Sequence, residues 1–235
     1  MVLAAGRGER MRPLTDQTPK PLLRVRGQPL MYWPMQALAR GGFVQQLVNT
    51  AWLGEQFPAQ LGDQIQWPGV PEVQIRYSHE GQDFGHALET AGGIVRALPQ
   101  LGAVFWVLAG DVFAPDLMFT QQAVARFGAS TALAHLWLVP NPAHNPGGDF
   151  GLSAEGQVLN LPKGSSGCAY TFSTVALYKK TFFADCGLPP GNPEGVALAL
   201  APLLRAAMDR GQVSGEVYAG DWTDVGTPER LAQLN

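Results

Sequence analysis

The stretch that decides the fold lies near the middle of the chain and reads Ala103-Val104-Phe105-Trp106-Val107-Leu108-Ala109-Gly110-Asp111. Seven consecutive apolar residues without alternation are typical of a strand buried on both faces, which favours a central strand of a parallel sheet. A glycine and a carboxylate follow directly and end the strand. In open α/β sheets ligands bind beyond the carboxyl ends of the strands. Asp111 is therefore a candidate functional residue.

Strands and helices alternate on the N-terminal side of this stretch. Apolar runs and apolar alternation predict strands at residues 2–5, 44–49 and 73–77. Apolar residues at helical spacing predict helices at residues 30–39 and 90–97. This alternation predicts an α/β fold with a Rossmann-like, doubly wound mixed sheet.

The C-terminal side is richer in short strands. Strands are predicted at residues 131–139, 217–218 and 222–225, with short strands around a turn within residues 150–161. Helices are predicted at residues 196–208 and from Thr227, where threonine can cap the helix and Pro228 occupies its first position. No linker or repeat separates the two sides. We therefore predict a single domain over residues 1–235, with halves at about 1–112 and 113–235 and a small β-rich insertion.

Composition and charge exclude several classes of protein. A chain that is 46% hydrophobic and 15% charged is neither a disordered tail nor an acidic scaffold, and its apolar runs fall short of the ~20 residues of a membrane span. A net charge of −3 offers no general attraction to nucleic acid or to an anionic membrane. No signal peptide is recognisable, so we expect a cytoplasmic protein. Cys168 and Cys186 form no C-x-x-C motif, and we assign them no chemistry.

The first 26 residues carry the clearest sign of a phosphate ligand. They hold six lysines and arginines against two acidic residues, which indicates either an anion site or a solvated basic loop. Gly6 and Gly8 follow a strand, and such a turn can aim backbone N–H groups at phosphate oxygens, with Arg10 and Lys20 adding positive charge. Neither the Walker motif nor the dinucleotide motif fits, because Gly8 is not followed by the Walker pattern and position 11 holds a methionine.

Two distant carboxylates are candidates for a metal site. Asp111 follows the central strand and Asp224 follows a strand near the C-terminus, so a doubly wound sheet can bring them to one crevice. Carboxylate oxygens together with substrate phosphates suit Mg²⁺. Each residue taken alone can equally be a turn or cap residue.

Four ordered motifs give the chain a family resemblance. They are the glycine loop with Arg10 and the later Pro19-Lys20-Pro21, Leu88 to Gly93, Ala109 to Val112, and Trp222 to Pro228. Together they resemble the sugar-phosphate nucleotidyltransferase superfamily over essentially the whole chain. The segments 49–54, 141–142 and 148–150 are most similar to the N-acetylmuramate-1-phosphate uridylyltransferases of bacterial cell-wall recycling.

The resemblance implies an enzyme that condenses a nucleoside triphosphate, with UTP favoured, with a sugar 1-phosphate, with N-acetylmuramate 1-phosphate favoured, and releases pyrophosphate. It implies that Mg²⁺ is the cofactor and that the β-rich insertion forms the sugar side. It assigns catalysis to Arg10, Lys20 and Asp111, and the metal to Asp111 and Asp224. The implied nucleotide contacts are Ala4, Gly6, Gly8, Glu9, Arg10, Lys20, Glu80, Gly81 and Gly92. The implied sugar-phosphate contacts are Asn141 and Asp149.

Departures from the family pattern leave the base and sugar open. Ala109 stands where relatives have a polar residue, the segment 82–87 is longer than expected, and Thr50 and Thr174 replace a histidine and a glycine. One alternative is the same chemistry on mannose 1-phosphate, glucose 1-phosphate or phosphocholine, with GTP, dTTP or CTP. Another is a non-catalytic regulatory subunit that binds a nucleotide sugar. We expect a monomer or small homo-oligomer with no nucleic-acid or membrane partner.

Overall fold

A mixed eight-stranded sheet forms the centre of the described part of the molecule. The computed structural model describes residues 1–162, 164–167 and 169–235, so Cys168 lies outside the described residues. The strands are β1 (Val2–Leu3), β2 (Arg24–Val25), β3 (Gln28–Pro29), β4 (Gln45–Thr50), β5 (Gln64–Ile65), β6 (Val73–His79), β7 (Val104–Ala109), β8 (Val112–Phe113), β9 (Ala134–Pro140), β10 (Gly151–Leu152), β11 (Val158–Leu159), β12 (Tyr170–Lys179), β13 (Val213–Val217) and β14 (Thr223–Asp224). The helices are α1 (Tyr32–Arg40), α2 (Gln56–Leu61), α3 (Glu80–Phe84), α4 (Glu89–Ala97), α5 (Gln121–Ala129), α6 (Leu200–Asp209) and α7 (Pro228–Gln233).

The order of the strands in the sheet is β13-β9-β12-β7-β1-β4-β6-β5. β7, β1, β4 and β6 are mutually parallel, whereas β12 runs antiparallel to both β7 and β9. Short strands β8 and β14 pair beyond the end of β7, and β10 and β11 form the predicted hairpin. The carboxyl ends of the parallel strands therefore meet at one edge of the sheet. The predicted doubly wound mixed sheet is confirmed.

Each face of the sheet has its own apolar core. On one face, side chains of α1, α2 and α5 pack against β1, β4 and β7. On the other face, α4 and α6 cover β7, β9 and β12. Alternate residues of β12 divide between these cores, with Val175 and Leu177 in the first and Ala176 and Tyr178 in the second. In the described residues no helix is both long enough and apolar enough to cross a membrane.

The long strand β12 was not predicted from the sequence, because its pattern changes from alternation at residues 170–173 to a continuous apolar run at residues 175–178. Between Phe172, opposite Leu138, and Ala176, opposite Leu136, β12 carries two more residues than its partner. Thr174 lies in this bulge with φ at +66°, a left-handed conformation that β-branched residues rarely adopt. Tyr170 and Phe172 contact the same core as Ala176 and Tyr178, so the two inserted residues keep the alternation in phase, but Ser173 and Thr174 interrupt its apolar pattern at the bulge.

We expect Thr174→Gly to stabilise the protein. Glycine removes the steric penalty of the left-handed backbone, and this gain exceeds the loss of chain entropy that glycine brings. The free energy of unfolding should rise by about 1 kcal/mol and the Tm by roughly 2–4 °C, measured by thermal unfolding. Thr171→Gly, on the same strand but without a positive φ, should lower the Tm. A lower Tm for Thr174→Gly would contradict the strain argument.

Candidate active site

The loop after β1 is folded so that its backbone lines a crevice. The Ala4 N–H donates to Asn49 Oδ1 at 2.9 Å, which fixes the start of the loop to the end of β4. Gly8 has φ at +67°, and a Cβ there would lie 3.0 Å from Thr15 Cγ2. The turn therefore requires glycine at position 8. Gly6 lies in open space, where a ligand can approach its backbone.

The arginines of this loop have different positions. Arg7 forms an ion pair with Asp16 at 2.8 Å and stacks on the ring of Trp52 at 3.7 Å, so it holds the loop in place. Arg10 is exposed, and its guanidinium lies beside Gly226, since a Cβ on that glycine would be 3.3 Å away. Glu9 is exposed as well. Arg10 is thus the arginine of the motif that remains open to a ligand from solvent.

The structure brings Lys20 and the two predicted metal ligands together. Lys20 Nζ forms an ion pair with Asp111 Oδ2, and both side chains are partly buried. The backbone carbonyl of Asp111 accepts from the Val225 N–H at 2.9 Å, and Asp224 pairs with Val112 across β14 and β8. Two carboxylates more than a hundred positions apart in sequence therefore lie on adjacent backbone segments at the carboxyl end of β7.

Asp224 has basic partners of its own. Its Oδ1 atom accepts from the guanidinium of Arg230, on α7, and lies 2.8 Å from His144 Nε2. The His144 ring also lies 3.0 Å from the Arg230 guanidinium. Each of the two carboxylates is thus held by a basic side chain in this structure, and the C-terminal helix contributes directly to the site.

A cavity of about 760 Å³ opens beside Lys20 and Asp111. Of the residues implied by the resemblance, six line it, namely Ala4, Gly6, Gly8, Lys20, Asp111 and Asp149. Its volume is in the range of ligand pockets. Asp149 is held by Asn145, which donates to Oδ1 at 3.1 Å, and by the Phe172 N–H, which donates to Oδ2 at 3.0 Å. Asn141 lies nearby and accepts from Thr171 Oγ1 at 3.0 Å.

Glu80, implied as a contact of the nucleotide base, is instead an internal anchor. Its side chain is fully buried, and its two oxygens accept from Asn49 Nδ2 and from the Leu88 N–H, each at 2.8 Å. Burial raises the pKa of Glu80 above its usual value, although both hydrogen bonds act in the opposite direction. Because Asn49 also holds Ala4, Glu80 is connected through one side chain to the glycine loop after β1.

Gly81 and Gly92, also implied as nucleotide contacts, are explained by packing. A Cβ on Gly81 would lie 2.4 Å from the Ala51 carbonyl oxygen, and one on Gly92 would lie 2.7 Å from the Val196 carbonyl oxygen. Both glycines let two backbone segments approach closely, and neither lines the cavity. The contacts with the nucleotide base that the resemblance implies for Glu80, Gly81 and Gly92 therefore stay predictions. The positions of these three residues do not support such contacts.

The longer segment at 82–87 forms α3 and the turn after it. Asp83 forms an ion pair with Arg96 of α4, and the Arg96 guanidinium lies 4.6 Å from the ring of Phe84. The segment is therefore fixed to α4, although Gln82, Asp83, Gly85 and His86 are exposed. Ala87, at its end, reaches the cavity.

Several cavity residues were not identified from the sequence. Asn49, Thr174, Tyr178 and Arg205 all line the cavity. Asn49 lies near the end of β4, within the segment 49–54 that resembles the family. That resemblance was the signal in the sequence that could have identified Asn49 as a cavity residue. Arg205 lies on α6 in an ordinary helical pattern, and nothing in its spacing distinguishes it from a solvated charge.

Comparison with known proteins agrees with this architecture. A family model described as nucleotidyl transferase matches residues 1–235. The N-acetylmuramate alpha-1-phosphate uridylyltransferase of Neisseria meningitidis serogroup B is 46% identical over 99% of this chain and 95% of its own length. A protein with the same name from Caulobacter vibrioides is 30% identical over 97% of this chain and 92% of its own length.

Solved structures share the fold at low sequence identity. A putative glucose-1-phosphate thymidylyltransferase from Bacillus anthracis superposes with a TM-score of 0.78 at 21% identity, covering 100% of this chain and 92% of the other. The CTP:phosphocholine cytidylyltransferase of Streptococcus pneumoniae superposes with a TM-score of 0.72 at 18% identity, covering 99% and 95%. With a family model that matches from the first residue to the last, the chain belongs to the nucleotidyl transferase family.

Proposed function

We propose that the protein is a magnesium-dependent uridylyltransferase that joins UTP to N-acetylmuramate 1-phosphate and releases pyrophosphate. The observation that carries this proposal is the Lys20–Asp111 ion pair in the cavity beside the glycine loop, with Asp224 on the backbone segment next to Asp111. The choice of base and sugar is supported by the relative from Neisseria, which is 46% identical over nearly the whole chain.

The two carboxylates fit a magnesium ion that completes its shell with phosphate oxygens and water. Among the described residues, no cluster of three or more histidine, cysteine and acidic side chains forms a ready-made metal site. A pair of carboxylates together with substrate phosphates is nevertheless a usual donor set for Mg²⁺, and Asp111 and Asp224 would provide it. When bound, the ion would supply positive charge to the triphosphate.

The reaction needs positioning and charge neutralisation from the protein. A phosphate oxygen of the sugar 1-phosphate attacks the α-phosphorus of the triphosphate, the new P–O bond forms, and the bond to the β-phosphate breaks with its electron pair leaving on pyrophosphate. The nucleophile is already ionised at neutral pH, so no side chain has to remove a proton. Lys20 and Arg10 reduce the repulsion between the two anions, and the glycine loop orients the triphosphate.

The direct test is a substrate panel with the purified protein. We expect pyrophosphate release with UTP, Mg²⁺ and N-acetylmuramate 1-phosphate to be at least ten-fold faster than with mannose 1-phosphate, glucose 1-phosphate or phosphocholine, or with GTP, dTTP or CTP. If another pair of nucleoside triphosphate and phosphorylated acceptor reacts faster, the proposed substrates are wrong, but the proposed nucleotidyltransferase reaction still holds. Binding of the nucleotide sugar without pyrophosphate release from any pair would indicate a regulatory subunit instead.

The position of Arg205 in the cavity favours a sugar substrate that carries a carboxylate. Its guanidinium is in the cavity wall, 5.2 Å from the ring of Phe150, and donates to Asn160 Oδ1 at 2.6 Å. N-acetylmuramate carries a lactyl carboxylate, which an arginine recognises well. We expect Arg205→Gln to lower kcat/KM for N-acetylmuramate 1-phosphate by about 10- to 100-fold, a loss of the size expected for a charge-assisted hydrogen bond.

The comparison substrate for this variant is N-acetylglucosamine 1-phosphate, which lacks the carboxylate and should lose much less. Arg210→Gln, an exposed arginine just past the end of the same helix, is the matched control and should leave both substrates unaffected. An equal loss on the two sugars for Arg205→Gln would assign Arg205 to packing against Phe150 rather than to carboxylate recognition.

A further inference from the structure

Two arginine side chains, one from each end of the chain, meet beside Gly226. A Cβ on Gly226 would overlap the Arg230 guanidinium and would lie 3.3 Å from Arg10 Nη2, so the two guanidiniums are neighbours. Gly226 has no positive φ, so its role is to leave space for these side chains. Arg10 is exposed and the Arg230 side chain is 14% exposed, so a ligand from solvent can reach both. We call Arg10 and Arg230 the arginine pair.

The carboxylates of the protein neutralise the arginine pair only in part. Arg230 donates to Asp224 Oδ1, but this oxygen also lies 2.8 Å from His144 Nε2. Arg10 forms no ion pair with any residue that the structure describes. Neighbouring guanidiniums repel each other, and an anion that offers oxygens to both removes this repulsion. The arginine pair is therefore a candidate anion site.

The arginine pair lies next to the part of the cavity that would hold phosphates. Asp111 lines the cavity, and its backbone carbonyl accepts from the N–H of Val225, the residue directly before Gly226. Gly8 also lines the cavity, and Arg10 follows it two positions later in the same loop. A triphosphate whose α-phosphate lies beside Asp111 would thus have its outer two phosphates near the arginine pair.

Arginine suits a phosphate group that gains charge as the reaction proceeds. When the bond between the α- and β-phosphates breaks, its electron pair stays on pyrophosphate, which leaves with more negative charge than it had within the triphosphate. A guanidinium stays protonated and can donate two parallel hydrogen bonds to phosphate oxygens. Fixed positive charge at this position therefore stabilises the transition state more than the bound triphosphate.

We propose that Arg230 is a further catalytic residue, which binds the β- and γ-phosphates together with Arg10 and stabilises the departing pyrophosphate. Asp224 keeps His144 as a partner, so the Arg230 guanidinium can turn to the phosphates without leaving that carboxylate unpaired. The inference rests on the proposed function, because it names a residue that receives the leaving group of that reaction. It does not depend on the identity of the base or the sugar.

The test is isothermal titration with pyrophosphate in the presence of Mg²⁺. Arg230→Gln should weaken the binding of pyrophosphate by about 10- to 100-fold, the loss expected for a charge-assisted contact. Arg230→Lys should recover part of this loss, because lysine restores the charge without the planar fork. Arg126→Gln, which removes an arginine from an exposed ion pair with Glu216, is the matched control and should bind pyrophosphate as the wild-type protein does.

Titration with Mn²⁺ alone separates this role from a purely structural one. The inference predicts that Arg230→Gln binds Mn²⁺ at least as tightly as the wild-type protein, because Arg230 no longer competes for Asp224 Oδ1. If Arg230 only positions Asp224, the variant should bind Mn²⁺ more weakly, and the loss of pyrophosphate binding should be no larger than the loss of metal binding. That result would overturn the inference.

A titration with N-acetylmuramate 1-phosphate tests which phosphate Arg230 contacts. Arg230→Gln should change the binding of this sugar phosphate by less than two-fold, and a larger loss than that for pyrophosphate would place Arg230 beside the acceptor and overturn the inference. Failure of the wild-type protein to bind pyrophosphate would overturn it as well. If the titrations give the expected results but UTP and N-acetylmuramate 1-phosphate release no pyrophosphate, the proposed substrates are wrong and the assignment of Arg230 stands.

Discussion

Asp111→Asn should lower kcat/KM for pyrophosphate release by about 10³-fold while the protein stays folded. The substitution keeps the size of the side chain but removes the charge that holds Lys20 and, in the proposed function, one of two carboxylates for Mg²⁺. Loss of one preorganised charge at a phosphoryl-transfer site has an effect of this size. Because Asp111 is only partly buried, the Tm should change by no more than a few degrees. Steady-state kinetics and thermal unfolding on the same preparation measure the two effects.

Asp116→Asn is the matched control, because Asp116 is an exposed aspartate five positions further along the chain. It should leave both kcat/KM and the Tm unchanged. Full activity in Asp111→Asn would disprove the role given to the carboxylate pair. Isothermal titration with Mn²⁺ adds a readout independent of turnover, and we expect weaker binding to Asp111→Asn than to the wild-type protein.

The elements that were predicted correctly are those whose local pattern agrees with their tertiary environment. β7 was identifiable because both of its faces are buried, and α7 because Thr227 accepts from the Arg230 N–H at its start. α6 was predicted from residue 196 but begins at Leu200. The preceding residues are apolar, yet the Leu198 carbonyl accepts from the N–H groups at the start of α4, which holds the segment outside the helix. No local pattern encodes that contact.

The residues of the candidate site also divide into those that the sequence identified and those that it did not. Lys20 contacts Asp111, and Asp224 lies on the backbone segment next to Asp111, because the pairing of β8 with β14 brings these segments together. Their roles in metal and phosphate binding stay predictions. Thr174 and Tyr178 belong to β12, whose apolar pattern is interrupted at Ser173 and Thr174, so neither was identified. Glu80 was identified, but its burial was not. The sequence shows a carboxylate before a glycine, and only the packing of α3 against β4 and of α4 against β6 encloses it.

The enclosure of Glu80 has a consequence for the phosphate loop. Asn49 accepts from the Ala4 N–H with its oxygen and donates to Glu80 with its nitrogen, so its amide orientation is fixed from both sides. Without Glu80, the amide nitrogen of Asn49 loses its buried acceptor and the side chain is free to turn. The start of the loop would then lose its anchor. Glu80 is accordingly a positioning residue whose effect reaches the glycine loop through Asn49.

Glu80→Gln should therefore be strongly destabilising. The amide of glutamine has one acceptor and one donor group, whereas Asn49 and Leu88 both present N–H groups, so one buried donor is left facing another. We expect a loss of about 2–4 kcal/mol in the free energy of unfolding, measured by urea denaturation at pH 7. Glu55→Gln, at an exposed glutamate, is the matched control and should change the free energy by less than about 0.5 kcal/mol.

The loss should also depend on pH in a defined direction. The pKa of Glu80 is raised in the folded protein, so its contribution to stability is fully present below its unfolded pKa and decreases as pH rises through the folded pKa. Glutamine does not titrate, so the difference in stability between the wild-type protein and Glu80→Gln should be larger at pH 4.5 than at pH 8. A difference that grows toward pH 8 would mean that the two hydrogen bonds outweigh burial and that the pKa of Glu80 is lowered instead. Glu80 would then still anchor Asn49, but its two hydrogen bonds would affect its pKa more strongly than burial does.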